Sequence, residues 1–224
     1  MIVLVCLEPP QPGRGARAAE ILARKLAGVA ESVAVCVGGP LDSPSLTWAI
    51  DRHSFRRVIH VDDAPLEKTD FMTLGAILAE VARRLGAGVV ITGEHSDREG
   101  QGLVPAAIAH HLHAPLIARV CELRRSGADP DRLEITTRAG GKLCTLDVAT
   151  PIVLSTEPAS YEEIVPLAAT GASAVETLTL PQLGLDADRL VPRPELLGTP
   201  VAAPSERPAT MTPEEAARFL RPRQ

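Results

Sequence analysis

Apolar positions fall in short blocks along the first 120 residues, and the blocks alternate in period. Ile2–Leu7 (IVLVCL), Ser32–Val37, Arg57–Val61 (RVIHV), Gly88–Thr92 (GVVIT) and Pro115–Val120 are largely apolar runs of five or six residues. Runs this short, apolar on successive residues, fit strands buried on both faces. Between them the period lengthens. Ala16–Leu26 puts Ala19, Leu22, Ala23 and Leu26 on one helical face, and Asp70–Leu85 does the same with Leu74, Ile77, Leu78, Val81 and Leu85. Ser45–Ile50 and Leu103–Leu112 read as shorter helices. Strand and helix in alternation predict an α/β fold, an open and mostly parallel sheet with helices on both faces.

The pattern changes after Arg119. Leu133–Arg138, then Gly140-Gly141, then Lys142–Val148 predict a β-hairpin, and Pro151–Ser155 predicts one more buried strand. Beyond Leu180 there are eight prolines in 44 residues. Thr212 as N-cap with Pro213 at the first helical position opens one short helix there, ending near Leu220. The expected division is an α/β domain over 1–180 and an extended arm over 181–224. Two readings of the arm stand open: disorder, or a strap that wraps a partner.

Composition narrows the partners. Of 224 residues, 45% are hydrophobic and 23% charged, enough for a packed core. The formal net charge is −5, and no Lys/Arg block occurs. Trp48, Phe55, Phe71, Tyr161 and Phe219 are too scattered for a base-stacking platform, so nucleic acid is not an expected partner. Cys6, Cys36 and Cys144 sit in apolar runs, and with Cys121 they form no CxxC pair. Buried, reduced thiols and a cytoplasmic location are the expectation. The opening MIVLVCLEPP lacks a basic n-region, and no stretch approaches 18 apolar residues. Neither a signal peptide nor membrane insertion is expected.

Chemistry concentrates in loops that would follow strands. In an open parallel sheet, ligands sit beyond the carboxyl ends of the strands. Glu8–Gly15, Val37–Pro40 and Gly93–Gly102 fall there. The third, GEHSDREGQG, is longer than a simple strand-to-helix turn needs. Its glycines permit close backbone approach, and the helix after it offers free N–H groups to an anion. It is neither GxGxxG nor GxxxxGK[ST]. On the residues alone, nucleotide binding and mere connection remain equally open. His95, His110, His111 and His113 raise the question of a metal, but His110 and His111 project roughly 100° apart on a helix. No metal site and no diagnostic catalytic set is expected.

Several segments in order resemble the β subunit of electron transfer flavoproteins. The Ile2–Leu7 strand resembles the family's opening strand, and Ala18–Arg24 its first helix. Val35–Pro40, Leu46–Ile50 and Arg57–Val61 are similar to its strand, Gly-Pro turn, "TALAMGAD" helix and "RAIHV" strand. Gly88–Gly102 with Leu112–Pro115 resembles its strand, loop, helix and "LxxP" stretch. Arg138–Gly141 resembles "RxxDGG", Glu157–Tyr161 "NEPRY", Pro181–Asp186 "LGVD", and Thr212–Leu220 the terminal "TxEDLVxKL" helix. The resemblance covers nearly the whole chain.

That resemblance implies an adenine-nucleotide α-hydrolase-like fold and a non-catalytic electron carrier. The β subunit would pair with an α subunit that holds most of the FAD, with structural AMP in this chain. It would take electrons from a flavin dehydrogenase, docked near Tyr161. Carried over by position, AMP would contact Cys6, Gly13, Gly15, Gly38, Gly93, Ser96, Asp97, Glu99, Gly100, Gln101, Gly102 and Val104. Without a gap, Gly102, Leu103 and Val104 take the places of the family's Asn-Gln-Thr phosphate contacts. A small gap matches Gln101 to that glutamine. The chain departs from the family at Glu8, where it has Lys, at Pro12–Gly15, where it has an Asn-Pro motif, and at Pro158–Tyr161. Two other functions compete. One is a stand-alone nucleotide-binding or signalling module of the same fold. The other is a hydrolase or ligase, which would need a pyrophosphate loop after the first strand that Glu8–Gly13 does not resemble.

Overall fold

A computed structural model describes residues 1–7, 14–26, 30–51, 55–63, 69–93, 102–127, 129, 131–156, 174–186 and 190. They belong to one compact unit, residues 1–191. Nine strands form one sheet. In chain order they are β1 (Ile2–Leu7), β2 (Glu31–Val37), β3 (Arg57–Val61), β4 (Ala87–Gly93), β5 (Leu116–Arg125), β6 (Arg132–Ala139), β7 (Lys142–Ala149), β8 (Ile152–Thr156) and β9 (Ala174–Leu178). The helices are α1 (Arg14–Lys25), α2 (Pro44–Asp51), α3 (Phe71–Leu85) and α4 (Val104–Leu112). The sheet order is β7-β6-β5-β8-β4-β1-β2-β3-β9. Only the β5-β6 and β6-β7 pairs are antiparallel. The expected open, mostly parallel α/β fold is the one observed.

Strand alternation feeds two separate cores. Val3, Val5 and Leu7 of β1 face one side, with Val89 and Ile91 of β4, Ile152 and Leu154 of β8, and the apolar faces of α1 and α2. Leu4 faces the other side, with Val33, Val35, Ile59, Val90 and Val153 beneath α3 and α4. Each central strand is therefore apolar at successive positions because each position serves a different layer. α3 starts at Asp70, whose carboxylate accepts the Thr73 N–H at 2.7 Å, and stops at Gly86, whose φ of 64° suits glycine.

Two findings go beyond the sequence reading. The fifth strand runs on to Arg125. A bulge between Ile117 and Val120, with Arg119 at φ 58°, carries it from parallel pairing with β8 into antiparallel pairing with β6. The edge strand β9 pairs in parallel with β3 and was not anticipated. Leu180 and Leu183, in the turn after it, are buried against the α3 side. The terminal helix expected at Thr212–Leu220 lies outside the described residues.

One thiol expectation needs correction. Cys144 is exposed rather than buried. It lies on β7, the outermost strand, paired with Thr137. Its neighbours Leu143 and Leu146 are 61% and 40% exposed. Cys6 and Cys121 are partly buried, and Cys36 is fully buried.

α3 and α4 cross where Gly75 meets Ala107. A Cβ on Gly75 would lie 2.4 Å from the Ala107 Cβ and 2.9 Å from its carbonyl carbon. Gly75→Ala must push the helices apart. It is expected to lower unfolding free energy by about 1–3 kcal/mol in urea titrations. Adding Ala107→Gly should recover part of that loss, and an unchanged Gly75→Ala would place the contact elsewhere.

Candidate functional site

The chain leaves β1 for β2 and β3 on one side, then returns to β4 on the other. The connections after β1 and β4 thus diverge, and the carboxyl end of such a strand pair is where an open α/β sheet ordinarily takes its ligand. The described members of the sequence-derived set gather around that rim. Cys6 is the penultimate residue of β1, and Gly93 is the last of β4. Gly15 lies in the first turn of α1. Gly38 follows β2, and Gly102 and Val104 lead into α4.

Gly15 and Gly93 are in direct contact. A Cβ on Gly15 would fall 2.6 Å from the Gly93 Cα, so the first turn of α1 rests on the end of β4 backbone to backbone. Gly38, with φ 72°, donates its N–H to the Val61 carbonyl at 2.8 Å and ties the end of β2 to β3. It lies on the rim one strand beyond β1, away from the glycine contact. Gly102 has φ 60°, which favours glycine there. Leu103, the N-cap residue of α4, makes no side-chain cap bond. Cys6 and Val104 both pack on the α3/α4 side. Gly13, Ser96, Asp97, Glu99, Gly100 and Gln101 lie outside the described residues, as do His95 and Tyr161.

The thiols at this rim are not nucleophiles. Burial pushes the Cys6 and Cys36 thiols up to about 12, so both stay protonated at neutral pH. The Cys36 Sγ donates to the Gly38 carbonyl at 3.9 Å. Beside it, the buried His60 ring bonds the Gly39 carbonyl through Nε2 at 3.0 Å, leaving Nδ1 without a partner. Among the described residues, no three His, Cys, Asp or Glu side chains converge on a metal position. The His110 and His111 rings stack edge to face at 5.3 Å.

Sequence reasoning passed over Thr156, the last residue of β8. It is 1% exposed, and its Oγ1 has no hydrogen-bond partner. The available signal was a polar residue closing an apolar strand at the same rim. No described helix is long and apolar enough to cross a membrane.

The family described as electron transfer flavoprotein domain matches residues 16–183. The electron transfer flavoprotein subunit beta of Methylophilus methylotrophus is 25% identical over 162 residues, covering 70% of this chain. The chain spans 61% of that relative's length.

The thiol environments have a direct test. Iodoacetamide at pH 8 should label Cys144 in the folded protein well before Cys36, with Cys36 labelled only on unfolding, as read by peptide mass spectrometry. Equal labelling of the two in the folded state would contradict the burial of Cys36.

Proposed function

The chain belongs to the electron transfer flavoprotein family, and from that premise we infer that it is a β-type subunit of a heterodimeric electron carrier. It is not itself the catalyst. An α-type subunit supplies most of the FAD site, and a dehydrogenase delivers the electrons. The observation that carries the reading is a family match over 16–183 on a chain whose β1/β4 divergence seats α1 directly on Gly93.

A nucleoside monophosphate fits the residues at that rim. Gly15 and Gly93 remove side chains from the place where backbone must come close, and the start of α1 presents its N–H groups there. The strand end there is apolar, with Leu7 on the α1 side and Cys6 on the other. The protonated, inert Cys6 serves such a site as a wall rather than as a reactive group. In this reading AMP is structural, and bound FAD supplies the electron chemistry. The chain's own task is to hold the nucleotide and present a surface to the α-type subunit. The dehydrogenase-docking role of Tyr161 belongs to the same proposal.

Co-expression with an α-type partner is expected to give a 1:1 complex with a flavin absorption spectrum that bleaches on reduction. The chain alone should be colourless. Recovery of the chain as a stable colourless homodimer, with no complex formed, would instead favour a stand-alone nucleotide-binding module.

A further inference from the structure

We draw no further inference here: the strongest candidate, the outermost strand β7 with Leu143, Cys144 and Leu146 exposed along it, is an apolar edge of the sheet, and nothing in the structure shows what covers it.

Discussion

The first turn of α1 sits on the last residue of β4 with no space for a single carbon between them. Much else follows from that seat. A helix that close to the sheet buries small residues where it meets the strands, and α1 does so with Ala16, Ala19 and Ala23 before Leu22 and Leu26 fill the wider space. The same seat brings the positive end of α1 to the carboxyl rim of the strands, at the place where the chain's path reverses around β1. A side chain at Gly15 would lift the helix start off β4 and open the core beneath it. Packing and site geometry are thus one constraint, carried by two glycines far apart in sequence.

The central architecture was readable in the sequence because buried parallel strands and two-faced helices leave unmistakable periods. IVLVCL, RVIHV and GVVIT each became a strand, and α3 ended at Leu85, the last residue of its stripe. The peripheral strands were harder. β9 (AVETL) is short and half polar, and its only pairing is with β3, a contact between distant parts of the chain. The second half of β5 (ELRR) is charged on one face, since beyond the bulge it packs on one side only, and its charges find cross-strand partners such as Arg124 with Glu134. Cys144 shows the same lesson from the other direction. Alternation placed it beside apolar residues, but β7 is the edge strand of the sheet and nearly all of its residues are exposed. Period tells which residues share a face and leaves open whether anything covers that face.

The candidate site divided in the same way. Gly15, Gly38, Gly93 and Gly102 were named by carrying positions over from the family resemblance, and all four stand at the carboxyl rim or at the entry to α4. The contact between Gly15 and Gly93 was not legible, because nothing local links the two positions. Thr156 was hidden for a different reason. In sequence it is one more polar residue at the end of a strand, and only its register against Gly93 gives it a neighbour of consequence.

The chain as a whole is acidic, with a formal net charge of −5, yet it begins α1 with two arginines. Net charge acts over the whole surface and is screened within about 10 Å at ordinary ionic strength. The field inside a crevice is set instead by the nearest few groups and by low-dielectric walls. At the carboxyl rim those groups include the start of α1, seated on the end of β4, and Leu7 and Val5 lie buried beneath that helix. The field at the rim is therefore set by a helix start rather than by the chain's net charge.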